Sequence, residues 1–153
     1  MFVQLEDGQV KSYPYTLAMF KQENKATSFP SSVSDELLAG YDVFRVVELE
    51  KPEFNSLTQN CILDATPRLE GGQWVVGHTI EDKPLAEAEH AVRAQRSSLL
   101  QGSDWVVIMH TEKGTNIPAE WELYRQALRD IPDQQGFPYQ VVWPVAPGSQ
   151  QKS

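Results

Sequence analysis

A single cysteine, Cys61, in a chain of 153 residues excludes an internal disulfide and a thiolate zinc cage, and it suits a reducing compartment. Positive charge is scarce as well: 13 Lys and Arg stand against 21 Asp and Glu, a net charge of −8. Neutralising a phosphate backbone takes clustered cations, so nucleic acid is not an expected partner. Long apolar runs are missing, and nothing approaches the roughly 18 residues that would span a membrane. The opening, MFVQLEDGQV, has acids where a secretory leader carries a basic and then apolar stretch, which predicts a protein that stays in the cytoplasm where it is made. Internal repeats and low-complexity tracts are also lacking.

What remains is enough to fold. Hydrophobic residues make up 41% of the chain and aromatics 10%, which supplies a core for one compact domain or two small lobes. The ten prolines punctuate that chain rather than disorder it. Acidity is concentrated early: residues 1–83 hold 13 acids and 7 bases, residues 84–153 hold 8 and 6. Solubility is the plain reading of such a surface, and steering of a basic partner is the alternative.

Along the chain, Asp7-Gly8 predicts a tight hairpin turn between two short strands over residues 2–13, with Phe2, Val3, Leu5 and Val10 to bury. Leu17 and Phe20 mark a short helix from Tyr15 to Asn24. Ser34 caps a second one ending at Ala39, with Gly40 as a left-handed stop. Residues 41–50 alternate as a strand that Pro52 ends. Cys61–Ala65 and Trp74–Ile80 read as an antiparallel pair turned at Gly71-Gly72. After Asp82-Lys83-Pro84 the period changes: Leu85, Ala88, Val92, Gln95 and Leu99 fall at helical steps until Gly102. Residues 103–110 read either as a short strand or as an apolar arm. Pro118 opens a further helix whose Trp121, Tyr124, Leu128 and Ile131 share a face, so the two stripes are expected to pack as an antiparallel pair. The segment from Gly136 through Pro144 is expected to be extended and anchored by its rings, and residues 148–153 to be a frayed tail.

Catalytic signatures are sparse. There is no Gly-x-Ser-x-Gly elbow and no glycine-rich phosphate loop. Glu87-x-x-His90 has the helical spacing used by di-iron carboxylate bundles, yet it occurs once where such a site needs it twice with two further glutamates. A solvated helix face is the simpler reading. His78, His110 and the acid pairs Glu81-Asp82 and Asp130 with Asp133 read as structural or surface groups. No cofactor and no metal are expected.

The distinctive feature is a C-terminal concentration of Trp105, Trp121, Tyr124, Phe137, Tyr139 and Trp143 interleaved with Asp104, Arg125, Arg129 and Asp130. On a helix, Arg125 and Arg129 project from neighbouring turns, able to pair with Asp104 or to stack on an indole. Three blocks carry a resemblance: Ser103-Asp104-Trp105; the run from Trp121 through Tyr124-Arg125-Gln126-Ala127-Leu128-Arg129-Asp130-Ile131-Pro132; and Gly136-Phe137-Pro138 with Trp143-Pro144. In order and spacing they resemble the bacteriophage tail assembly chaperone family. Ser28-Phe29-Pro30, Tyr41-Asp42-Val43-Phe44-Arg45-Val46 with Pro52, and Gly72-Gln73-Trp74 are similar to the amino-terminal part of tail fibre assembly proteins.

The resemblance implies a helper in the host cytoplasm that binds a tail fibre or other tail protein during folding and assembly, without turnover chemistry. A structural component of the virion, at the fibre or baseplate, is the alternative, and a small metal-dependent enzyme a remote one. Self-association stays open. The residues implied for partner contact or the family motif are Asp104, Trp105, Trp121, Tyr124, Arg125, Arg129, Asp130, Phe137, Pro138 and Trp143. Aromatics at helical spacing face inward, so core packing is the first expectation for Trp121, Tyr124 and Arg125, ahead of client contact. The expected fold is α+β: a β-rich lobe with a small mixed or antiparallel sheet and short helices over residues 1–82, then a helical-pair lobe with an extended aromatic segment over 83–147.

Overall fold

A computed structural model describes residues 1–30 and 32–148. Of the expected tail over 148–153, only Gly148 lies among these. The class is α+β, and the chain divides into two compact units: residues 1–53 with 61–80, and residues 54–60 with 81–153. Residues 54–60, in the first lobe of the sequence reading, thus group with the second unit.

The first unit starts with the expected hairpin, β1 (Phe2–Glu6) and β2 (Gln9–Tyr15). Asp7 and Gly8 take φ of 53° and 75°, the left-handed pair that a two-residue turn needs to match strand twist. β3 (Val43–Glu48) pairs antiparallel with β1 and parallel with β6 (Gln73–Val76). Gly71-Gly72 turns β5 (Arg68–Glu70) back onto β6, so it is not the turn between the two apolar runs that was expected. The first of the two apolar runs becomes β4 (Gln59–Leu63), and it pairs with β7 (His78–Asp82) in a separate ribbon. The run read as one strand from Trp74 to Ile80 breaks at Gly77 into β6 and β7. The five-stranded sheet is therefore mixed, in the order β2-β1-β3-β6-β5.

Alternation along the strands splits the apolar residues between two faces. Phe2 and Val43 point to one, where they meet Tyr15 and two short helices, α1 (Leu17–Glu23) through Phe20 and α2 (Asp35–Ala39) through Leu38. Val3, Val46 and Val76 point to the other with Phe44 and Trp74. Both of these short helices carry a side-chain cap for their orphan amides: Thr16 Oγ1 accepts from the Met19 amide, and Ser34 Oγ from the Leu37 amide. Gly40 does not make the expected left-handed stop; its φ is −66°, and Asp42 makes the reversal at φ 55°. A short aspartate tolerates that region, so the turn into β3 falls two residues later.

The second unit is built on α3 (Leu85–Gly102) and α5 (Ala119–Arg129), which pack together. Ala88 and Val92 of α3 are buried, and Val92 packs with Tyr124, Leu128 and Ile131. Leu85 and Gln95, expected on the same stripe, are exposed, so the packed edge is narrower than the spacing suggests. Pro118 stands just outside α5 as its N-cap rather than in the first turn. Residues 103–110 are neither strand nor arm. Ser103 is the turn after α3, and residues 104–110 belong to α4 (Asp104–Lys113), which ends where Gly114 takes φ 63°. From the preceding stretch of chain, Leu57 joins the α3/α5 core and Thr58 is buried, its carbonyl accepting from the Lys83 amide at 2.8 Å.

Candidate protein-binding site

The junction between α3 and α4 is held from α5. Arg125 reaches back to donate from Nη1 to the Leu100 carbonyl at 2.9 Å and to Ser103 Oγ, and from Nη2 to Asp104 Oδ1 at 2.8 Å. One guanidinium thus satisfies a last-turn carbonyl of α3, where a cation opposes the negative end of the dipole, and clamps the acid that opens α4. Ser103 is itself buried and donates to the Leu100 carbonyl at 2.8 Å. Of the two alternatives for Arg125, carboxylate pairing is the one realised.

Above this clamp lies a row of rings. Trp105 meets Trp121 edge-on at 5.8 Å between centroids, and Trp121 meets Tyr124 in the same manner at 5.8 Å. The row runs from outside to inside: Trp105 is 55% exposed, Trp121 half-buried and Tyr124 buried. The segment after α5 opens with a short 3-10 helix, Ile131–Asp133, then a turn, and becomes irregular chain only from Val141, so it is not extended throughout. Its rings do anchor it: Phe137 and Trp143 pack on the α3/α5 core, Pro138 is fully buried, and Tyr139 Oη donates to the Lys83 carbonyl at 2.7 Å. The Arg93 guanidinium lies over the Phe137 ring at 5.1 Å. Gln134 closes the loop by donating to the Val142 carbonyl and accepting from its amide.

The remaining motif residues separate. Asp130 accepts from Gln126 Nε2 at 2.8 Å, not from an arginine, and Arg129 is exposed with no ion pair among the described residues. Leu100, Arg93 and Gln134 were missed in the sequence. Nothing in their spacing distinguishes them, because their partners come from elsewhere in the chain. Exposed apolar side chains were missed too: Ile108, Leu123, Val142 and Val145 all lie in this unit. Between α4 and α5 runs an open groove of about 570 Å³, with Val107, Ile117, Ala119 and Leu123 on its walls and Glu122, Gln126 and Arg129 among its polar members.

The titratable candidates do not converge. Glu87 and His90 are both exposed on α3, and no group of three or more His, Cys, Asp or Glu among the described residues is placed to hold a metal. His110 Nδ1 lies 2.8 Å from Thr115 Oγ1, and His78 Nε2 lies 3.2 Å from Glu48. No helix among the described residues is long and apolar enough to cross a membrane.

The unit thus secures its α3/α4 junction through Arg125 and its C-terminal segment through buried rings, and it leaves Trp105, Ile108, Leu123, Val142 and Val145 exposed. Residues 89–148, somewhat under half the chain, match the family model described as phage tail assembly chaperone protein, in agreement with the resemblance carried by the motifs. No curated protein and no solved structure matches the chain.

Proposed function

We propose that this protein is a tail fibre assembly chaperone, which binds a fibre subunit stoichiometrically in the host cytoplasm while the subunit folds, and then leaves it. The match of residues 89–148 to the chaperone family carries the reading. The motif residues divide by exposure into two roles. Tyr124, Arg125 and Pro138 hold the helical unit together, whereas Trp105, more than half exposed at the outer end of the ring row, is the residue we assign to client contact. An indole fixed by an edge-on neighbour loses little freedom on binding, which favours it as an anchor. Covering apolar surface or an unpaired strand edge of an unfinished subunit would keep that subunit from aggregating.

Co-expression with a candidate fibre subunit is the direct test. Soluble, assembled fibre should rise in the presence of this protein and fall again with Trp105→Ala; equal fibre yields with and without the protein would remove the chaperone reading. Mass spectrometry of purified particles checks departure, since a structural component would be found there at fixed copy number.

A further inference from the structure

The outward stripe of α5 carries its charges in an order that is its own complement when reversed. Glu122, Gln126 and Arg129 follow at steps of four and three, so they lie along one side of the helix, opposite the buried Tyr124 and Leu128. Neither Glu122 nor Arg129 has an ion pair among the described residues. Beside them Leu123 is 71% exposed on the wall of the α4/α5 groove. With Val107, Ile117 and Ala119 on the walls of the same groove, Leu123 belongs to an apolar strip rather than standing alone, and that strip is flanked by unpaired charges of both signs.

We propose that this face is where two copies of the chain meet, each α5 antiparallel to the other about a two-fold axis beside Gln126. That arrangement sets Glu122 of each copy against Arg129 of the second and covers both Leu123 side chains. A parallel arrangement would put acid on acid and base on base, so the charges select the antiparallel one. The chain's net charge of −8 opposes any unspecific approach of two copies, which sharpens the dependence on this local pairing. One helix face makes a small isologous contact, so the dimer forms and dissociates with concentration.

Sedimentation velocity on the full chain over a range of micromolar concentrations should show a monomer–dimer equilibrium. Leu123→Asp should weaken it by about tenfold or more, as loss of a central apolar contact does. Glu122→Arg and Arg129→Glu should each weaken it similarly, and the two together should restore it. In a Cys61→Ser background, Gln126→Cys should give a disulfide-linked dimer under mild oxidation, and Glu112→Cys on α4 should not. A protein monomeric at every concentration overturns the proposal, as does a dimer indifferent to the single charge reversals or not restored by the double one. A monomer in which Leu123→Asp abolishes fibre solubilisation would assign the face to the client instead. None of the dimer measurements involves fibre, so their failure and that of the chaperone reading are distinguishable.

Discussion

Arg125 concentrates more of the second unit's polar architecture than any neighbour, because three acceptors from two helices and their junction depend on its fork. Its side chain is 12% exposed, whereas Asp104 is about half exposed. The two ends of the pair should therefore respond differently to truncation. Arg125→Ala is expected to cost about 1–3 kcal/mol in urea unfolding, since it removes the charged donor from buried Ser103 Oγ while the Leu100 carbonyl keeps the Ser103 amide and hydroxyl, and Arg125→Lys should recover only part of that. Asp104→Ala should cost no more than about 1 kcal/mol. In the first unit, Glu23 accepts from Tyr15 Oη at 2.7 Å and from Gln4 Nε2 at 3.0 Å. The Tyr15 bond first, then the Gln4 bond, lowers the Glu23 carboxyl below its ordinary value; burial first, then Glu23, raises the Tyr15 phenol. The signs give two edges. Stability from Glu23 is present above its unfolded pKa, about 4.3, and is lost as pH falls through the lower folded value. Stability from Tyr15 is present below its unfolded pKa, about 10, and is lost as pH rises toward the higher folded one. Urea unfolding of Glu23→Gln should show a shallower loss of stability on acidification than the parent; an unchanged pH dependence would remove Glu23 from this role.

The helix α4 is the element whose identity depends least on its own composition. Val106, Val107 and Ile108 are β-branched and adjacent, which reads as strand, but Val106 is buried in a helical unit and the Arg125–Asp104 contact fixes the first residue of the helix. Its far end rests on Gly114, whose amide donates to the His110 and Thr111 carbonyls at a left-handed backbone position. A Cβ there would meet no atom within 4 Å, so Gly114→Ala tests backbone preference alone. It should cost about 1 kcal/mol by thermal unfolding, with no change in the α3/α5 core. Elements with local causes were legible in sequence: the Asp7-Gly8 hairpin, the Ser34 cap, the α3 start after Pro84 and the shared face of Trp121, Tyr124, Leu128 and Ile131. Those decided by distant partners were not. The division of the Trp74–Ile80 run between the five-stranded sheet and the β4/β7 ribbon and the helical state of α4 both depend on packing partners outside the segment, and no local period encodes them. The candidate site divides the same way: core packing of Tyr124 and Arg125 was expected from their helical spacing, but the Leu100 and Ser103 partners of Arg125 and the outward turn of Arg129 follow from packing.

The second unit is discontinuous in the chain, and this shapes how it can be dissected. Leu57 packs in its core, Thr58 is buried beneath Lys83, and Lys83 Nζ donates to the Ser56 carbonyl at 3.0 Å, so residues 54–60 complete a structure otherwise made by residues beyond 80. Leu57→Ala in the full chain should cost about 1–3 kcal/mol, the range for a partly buried leucine. A fragment starting at Glu81, with the whole segment that matches the family model intact, should show weaker near-UV dichroism and a lower melting temperature than the full protein. Equal melting of fragment and parent would make residues 54–60 dispensable. During synthesis the same discontinuity imposes a schedule. The piece carrying Leu57 leaves the ribosome well before Leu128 and Ile131, and it must stay unmatched until they arrive. A nascent chain stalled before α5 therefore carries a conspicuous apolar end with nowhere to go, a vulnerable moment for a molecule we assign to sparing others that fate.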